Sequence, residues 1–240
     1  MNRSDYVSAL RSEGARLASA AAGSLARPVP SCPGWNVADL LVHTGEVYAF
    51  WSLIASGELT DPEKYEEPAR PADDRLESWF GERLEQLAAV LEQLEPTEPR
   101  WSWAPRRDAG FIQRRMAQET AVHCQDALLA AGRTEPVDRA LAVDGIDEFL
   151  TLFGARTVPA GLPAAGVHLH ATDGDGEWTV RPADDGAWQV VAEHGKGAAA
   201  VRGTASDLLL WLWNRRGQES LEVFGDAEVL ALFRSGYVRG

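Results

Sequence analysis

Two histidines and one glutamate occupy positions that helical periodicity assigns to a buried face. The apolar series of the second predicted helix advances by three and four residues through Leu40, His43, Val47, Phe50 and Ile54. The series of the fourth predicted helix runs through Ile112, Met116, Glu119, His123, Ala127 and Ala130. An ionised carboxylate is costly to bury without a partner. We therefore expect His43, Glu119 and His123 to share one cation.

The donor atoms of these three side chains indicate which metal they would bind. Glu119 and His123 are four residues apart and lie one above the other on the same helix face, and a facing His43 would supply the third ligand. Two nitrogens and one oxygen suit zinc, and three protein ligands with an open position are typical of catalytic zinc. Iron(II) in a facial triad is the alternative metal. The spacing differs from the H-E-x-x-H motif, so proteolysis is not indicated.

A purely structural interpretation of the same residues is also open. In this interpretation His43 is a core histidine with its hydrogen bonds satisfied, and Glu119 pairs with an arginine. The candidate arginines are Arg83, Arg114 and Arg115. Each residue alone favours this interpretation, whereas the three together favour a metal site. The sequence contains no P-loop, no G-x-G-x-x-G loop and no G-x-S-x-G elbow, so nucleotide and serine-hydrolase chemistry lack support.

The elements that must position these residues fall into two regions. Residues up to about Gly132 have helical periodicity, and those from about Gly166 read as short strands between glycine turns. The predicted helices are 4–22, 37–55 after an Asn36 N-cap, 73–94, 108–132 and 138–153. The predicted strands are 167–171, 177–181, 188–192, 198–202 and 221–224, with helices after Thr204 or Ser206 and from Asp226. The predicted fold class is α+β, with a metal-binding four-helix bundle at 1–135 and a smaller α+β domain with an antiparallel sheet at 136–240.

Composition excludes several classes of function. The net charge of -13 should repel nucleic acids and anionic lipid surfaces, so neither is expected as a partner. Two cysteines are too few for a disulfide framework. The N-terminus lacks the apolar run of a signal peptide, and no apolar stretch is long enough for a membrane span. A cytoplasmic protein is therefore expected, and its oligomeric state is left open.

Two segments resemble the mycothiol-dependent maleylpyruvate isomerase family. They are SCPGWNVADLLVHTG at 31–45 and QETAVHCQDA at 118–127, and VRGTASDLLLWLW at 201–213 extends the likeness to the C-terminal domain. The resemblance implies a DinB-like four-helix bundle in which His43, Glu119 and His123 hold zinc. It also implies mycothiol as the thiol cosubstrate and an actinobacterial source. The scarcity of lysine, with Lys64 and Lys196 against many arginines, agrees with such a GC-rich source.

The resemblance further implies an isomerase or S-transferase that acts on an electrophilic small molecule. In the founding activity, a metal-bound thiolate adds to maleylpyruvate, the adduct rotates, and elimination leaves fumarylpyruvate. Arg215 matches a family arginine that would bind a substrate carboxylate, although a charge at a helix end is the alternative. Asp126 would orient a ligand histidine from behind, although an exposed helical aspartate is equally compatible with its position.

The two cysteines are predicted to pack rather than react. Cys124 replaces an arginine that is frequent in the family and points about 100° away from His123. Cys32 is interpreted as a small buried hydrophobe.

A second function remains open, namely a non-catalytic protein that binds a small molecule and carries a structural metal. The tryptophans of the C-terminal part motivate it, although core packing explains them as readily. They include Trp178, Trp188, Trp211 and Trp213.

Overall fold

A computed structural model describes residues 1–154 and 158–237. The chain divides into two compact units, Met1–Glu135 and Pro136–Gly240. Each unit has a buried core of its own. Among the described residues, every helix is too short or too polar to cross a bilayer.

Four helices form the first unit, at the positions that the sequence predicts. They are α1 (Arg3–Ala21), α2 (Val37–Ser56), α3 (Asp73–Gln93) and α4 (Ala109–Ala130). The predicted N-cap is confirmed, because Asn36 and Asp39 form a reciprocal capping box at the start of α2. After α4, Gly132 adopts a φ of 71°, which glycine tolerates without a steric penalty.

Helix α4 is the central helix of this unit. It packs against α1 and α2 and is buried on almost every face, so polar side chains on it must find partners inside the protein. The predicted apolar stripe of α3, which includes Leu76, Phe80 and Leu91, is also buried. This packing fixes the two helices that carry the candidate metal ligands.

Two mid-helix glycines give a paired prediction about this packing. A Cβ on Gly45 of α2 would overlap the indole ring of Trp79 at Cζ3, whereas one on Gly81 of α3 would meet nothing within 4 Å. We expect Gly45→Ala to destabilise the protein by about 1–3 kcal/mol through overpacking. Gly81→Ala should stabilise it by about 0.5–1 kcal/mol through helix propensity. Chemical denaturation of both variants measures the two signs, and a stabilising Gly45→Ala would contradict the close packing of α2 on Trp79.

The second unit combines helices and a five-stranded sheet, which confirms the predicted α+β class. Its helices are α5 (Arg139–Leu152), α6 (Ala205–Leu212) and α7 (Ala227–Ser235). Its strands are β1 (Val167–Ala171), β2 (Glu177–Pro182), β3 (Trp188–Val191), β4 (Ala199–Gly203) and β5 (Glu222–Gly225). Of the two predicted caps for α6, Thr204 is the one that accepts from the helix, at Asp207.

The sheet is mixed, which differs in one strand pair from the antiparallel sheet that the sequence predicts. The strand order is β3-β2-β1-β4-β5, and the predicted antiparallel meander of β1, β2 and β3 is present. Strand β4 pairs with β1 in parallel and with β5 antiparallel. The reason is that β4 crosses back to the free edge of β1 instead of continuing beyond β3.

Strand alternation gives the sheet two chemically different faces. Val167 and Leu169 of β1 are buried, and helices α6 and α7 pack against this strand and β4. His168 and His170 alternate with these residues and therefore point to the opposite face. Through the register of β1 with β2, His168 is opposite Thr179 and His170 is opposite Glu177. Polar and titratable groups are thus gathered on the face away from α6 and α7.

Candidate metal centre

The structure brings His43 of α2 together with Glu119 and His123 of α4. Nε2 of His123 lies 3.2 Å from Oε1 of Glu119, and Nε2 of His43 lies 3.9 Å from the same oxygen. The two imidazole rings meet edge to face, with centroids 5.2 Å apart. One ligand atom from each residue therefore lies within 4.8 Å of the other two.

Asp126 contacts the ring nitrogen of His123 that does not face Glu119. Its carboxylate is fully buried, and Oδ2 lies 2.8 Å from Nδ1 of His123. The nearby loop adds two donors, because Ser31 Oγ donates to Oδ1 at 2.5 Å and Cys32 Sγ lies 3.7 Å from Oδ2. With Nδ1 held by a carboxylate, Nε2 of His123 is directed at the space shared with Glu119 and His43. The structure thus places Asp126 in the interior rather than on an exposed helix face.

Glu119 combines both partners that the sequence allows for it. Its Oε2 accepts a hydrogen bond from Nη2 of Arg115 at 3.1 Å, while Oε1 faces the two histidines. Burial alone would raise the pKa of Glu119. The hydrogen bond to His123, the nearby imidazole of His43 and the charge of Arg115 nevertheless hold that pKa well below its usual range. Pairing with an arginine and binding of a metal are therefore compatible, because they use different oxygens of the Glu119 carboxylate.

His123 is tied to two carboxylates. Burial alone would lower the pKa of His123, but its hydrogen bonds to Asp126 and Glu119 raise it to about 9. Without a metal, two carboxylates thus stabilise a positive charge at this position. The same two carboxylates would stabilise a divalent cation bound between His123 and Glu119, which is the fit expected of a metal site.

His43 lies at the edge of the buried face of α2, not in its centre. Its side chain is 38 % exposed, whereas that of His123 is 10 % exposed. The predicted core series is buried at Leu40 and Ile54 but only partly buried between them. The reason is that α2 instead buries residues adjacent in sequence to this series, including Leu41 and Tyr48. The cluster is consequently most open to solvent on the His43 side.

An indole ring borders this open side. The ring of Trp35 lies 4.9 Å from that of His43, centroid to centroid, at an angle of 57°. Trp35 belongs to the loop before α2, which a backbone hydrogen bond from Val29 to Trp35 closes. Gly34 adopts a φ of 89° in this loop, which favours glycine there. The loop thus brings Trp35 to the ligand cluster and Ser31 to Asp126.

Helical periodicity alone does not reveal Ser31 and Trp35 as parts of this site. Both residues stand in the proline-rich loop, where no repeating pattern relates a residue to the helix that it contacts. Their presence in the segment 31–45 is the signal that could have singled them out. The sequence presents Arg115 only as an alternative partner to a metal for Glu119, whereas in the structure it binds the carboxylate oxygen that faces away from the histidines.

Arg215 lies in the second unit, just after α6. Its Nη1 donates to the carbonyl of Trp213 at 2.9 Å, and its backbone N–H donates to the carbonyl of Leu210. These contacts are those of a residue at a helix C-terminus, as the alternative interpretation expects. The role of Arg215 in binding a substrate carboxylate stays a prediction.

The two cysteines should differ sharply in reactivity. Cys124 is fully buried, and burial together with the nearby carboxylate of Glu13 raises its pKa. Cys32 is only partly buried and lies beside the carboxylate of Asp126, which corrects its interpretation as a small buried hydrophobe. Since the thiolate is the reactive form, we expect iodoacetamide to label Cys32 in the native protein and Cys124 only after unfolding. Peptide mass spectrometry measures both, with Cys32→Ala as the control, and equal labelling in the native state would contradict the packing of Cys124.

Comparisons with known proteins agree with this architecture. A search of curated proteins finds no match. Crystal structures of the mycothiol-dependent maleylpyruvate isomerase and of a histidine-to-alanine mutant of it both align with a TM-score of 0.65 at 11 % identity, over 99 % of this chain and 95 % of those chains. The likeness confirms the predicted fold.

Family profiles match both parts of the sequence. The profile described as the mycothiol maleylpyruvate isomerase N-terminal domain matches residues 7–128, and the MDMPI C-terminal domain matches residues 140–232. Together these matches leave only short stretches of the sequence outside them. The chain therefore belongs to the mycothiol maleylpyruvate isomerase family, a family named for an enzyme.

Proposed function

We propose that this protein is a mycothiol-dependent isomerase, or an S-transferase of the same family, whose zinc ion is held by His43, Glu119 and His123. The observation that carries the proposal is the convergence of these three side chains in a chain of this family. Two imidazole nitrogens and a carboxylate oxygen are a donor set that suits zinc, with iron(II) as the alternative. The substrate would be an electrophilic small molecule of the maleylpyruvate type.

When bound, zinc would supply a position that holds an external thiol as its thiolate. The chain then needs no cysteine nucleophile of its own. Its cysteines are consistent with an external thiol as the nucleophile, because Cys124 is buried and Cys32 faces Asp126. The open side at His43 offers a small thiol access to the cluster.

The surrounding residues would hold the ligands in place. Asp126 fixes the orientation of the His123 ring, and Ser31 holds Asp126. Arg115 neutralises Oε2 of Glu119 and leaves Oε1 for the metal. Each of these groups acts through a ligand, so we class Ser31, Arg115 and Asp126 as positioning residues.

A cobalt-substituted protein gives a direct test of the open metal position. We expect mycothiol to change the visible spectrum of the cobalt protein and to add a sulfur-to-metal charge-transfer band. Cys32→Ala is the control, because it shows that the band comes from the added thiol. His123→Ala should lose the part of the band that comes from this site. A saturated spectrum that is inert to thiols would indicate a closed structural metal and would contradict the proposal.

Product analysis separates the possible reactions. Zinc-loaded protein is incubated with mycothiol and maleylpyruvate, and then with a panel of other electrophiles. An isomerised product without net thiol consumption supports an isomerase, whereas a stable thiol adduct supports an S-transferase. Absence of both, together with an inert cobalt spectrum, would favour the non-catalytic binding protein.

The structure offers little support for that second function. Of the C-terminal tryptophans that motivated it, Trp178, Trp211 and Trp213 are buried. The ring of Trp213 packs edge to face on Phe149, and that of Trp211 stacks on Phe233. Packing in the hydrophobic core therefore accounts for them.

The role proposed for Arg215 can be separated from its role at the helix end. If Arg215 binds a substrate carboxylate, Arg215→Gln should raise KM by about 10- to 100-fold, because a hydrogen bond to a charged group contributes about 1.5–3 kcal/mol. Steady-state kinetics with a dicarboxylate substrate measures this. An unchanged KM with a lower free energy of unfolding would show that Arg215 only terminates α6.

A further inference from the structure

The second unit carries another cluster of metal-ligating side chains, on the sheet face away from α6 and α7. His168 of β1, Glu177 of β2 and His194 of the loop after β3 each offer one ligand atom, and these atoms lie within 4.8 Å of one another. With His170, the cluster contains three of the five histidines of the chain. The metal centre in the first unit uses none of these residues.

The carboxylate of Glu177 is the centre of this cluster. Its Oε1 lies 2.7 Å from Nδ1 of His170, and its Oε2 lies 2.8 Å from Nδ1 of His194. Nε2 of His168 lies 3.8 Å from Oε2, which is too long for a hydrogen bond. Three imidazoles thus surround one carboxylate, and the third is not hydrogen-bonded to it.

His168 carries the strongest indication of a missing cation. Its side chain is 7 % exposed, and Nε2 is buried without a hydrogen-bond partner among the described residues. Its Nδ1 lies 3.4 Å from Oγ1 of Thr179, whose hydroxyl donates to the carbonyl of Glu193. Nε2 thus faces the carboxylate of Glu177 without a hydrogen bond, an arrangement that a cation between the two atoms would satisfy.

We propose that His168, Glu177 and His194 form a second binding site for a divalent transition metal of the zinc type. Two nitrogens and one carboxylate oxygen match the preference of zinc. Bonds of 2.0–2.1 Å would place the ligand atoms about 3.3 Å apart. The 2.8 Å between His194 and Glu177 must then open, and the 3.8 Å between His168 and Glu177 must close, each by about half an ångström. His194 can make this adjustment, because it lies in a loop and its side chain is 84 % exposed. His170 acts as a positioning residue that holds the other oxygen of Glu177.

An open groove gives this site a route for ligands. The groove has a volume of about 700 Å³, and Glu177, His170 and His194 are among its lining residues. The other walls include Asp147 and Trp178, whose indole N–H donates to that aspartate at 2.6 Å. A metal held by three protein ligands would keep a position open toward this groove for water or a small anion.

Metal counting in a suitable background tests the proposal without reference to activity. Full-length, tag-free His123→Ala is stripped with chelator, loaded with zinc, freed of excess metal and analysed by mass spectrometry. This background lacks a ligand of the first centre, so we expect the remaining equivalent of zinc to reside in the second unit. Adding Glu177→Gln or His194→Ala should lower zinc affinity at least tenfold and remove that equivalent.

The control replaces a carboxylate elsewhere in the same sheet. Glu222 lies on β5, is exposed and pairs with Arg202. Adding Glu222→Gln to the His123→Ala background should leave the zinc content unchanged, and circular dichroism checks that every variant is folded. Equal zinc content with and without Glu177→Gln, including none in either protein, would overturn the proposal and leave Glu177 as a hydrogen-bond acceptor for histidines. Either result leaves the proposed function of the first unit untouched.

Discussion

His123→Ala should remove the metal of the first unit and also destabilise the metal-free protein, whereas His43→Ala should remove the metal alone. Because the proposed site takes a ligand nitrogen from each of these side chains, we expect each substitution to lower metal affinity by more than about 100-fold. Loss of a residue that hydrogen-bonds to a metal ligand already lowers metal affinity by about 10–100-fold, and loss of the ligand itself should lower it further. The two variants should differ in their free energy of unfolding.

The difference follows from what each histidine leaves behind. His123 is tied to Asp126, which is fully buried, and removing it breaks a buried charged pair at a cost of about 3–5 kcal/mol. His43 is 38 % exposed and lies 3.9 Å from Glu119, which keeps Arg115 as a partner. We therefore expect His43→Ala to cost about 1 kcal/mol or less.

Two measurements on the same samples check this prediction. Metal content is measured by mass spectrometry after equilibration with zinc, and chemical denaturation of the stripped proteins gives the free energies of unfolding. The cluster proposed around Glu177 is unaltered in both variants, so the change sought is a loss of one equivalent relative to the unaltered protein. If His43→Ala retained that equivalent, His43 would not be a ligand.

Local sequence signals predicted most of the fold correctly. The start of α2 follows from Asn36, whose side chain caps the backbone, and the bounds of the other helices follow from the period of their apolar residues. The parallel pairing of β1 with β4 was not predictable in the same way. These two strands are far apart in the chain, and the alternation of either strand is the same whether its neighbour runs parallel or antiparallel.

The candidate ligands could be identified because two of them share one helix. The spacing of Glu119 and His123 encodes their contact directly, and His43 follows from the adjacent helix. The cluster around Glu177 had no such signal. His168 and His194 meet it only through strand register and a loop conformation, which depend on the folded sheet.

Asp126→Asn should weaken zinc binding by about 10–100-fold while leaving the three ligands in place. The carboxylate of Asp126 accepts from Nδ1 of His123 at 2.8 Å, which orients the ring and makes it a better donor to a metal. Asparagine has nearly the same shape but no charge, so it fills the buried space without supplying the same electrostatic support. Competition with a chelator of known affinity measures the change.

Ser31→Ala is the matched control, because it removes a hydrogen bond from Asp126 and leaves the carboxylate on His123. Zinc affinity should then change only a few-fold, while the free energy of unfolding falls by about 1 kcal/mol. If Asp126→Asn lowered the free energy of unfolding but left zinc affinity unchanged, Asp126 would support the packing of the loop on α4 and not the metal ligand. A loss confined to zinc affinity would instead show that the buried carboxylate acts through His123.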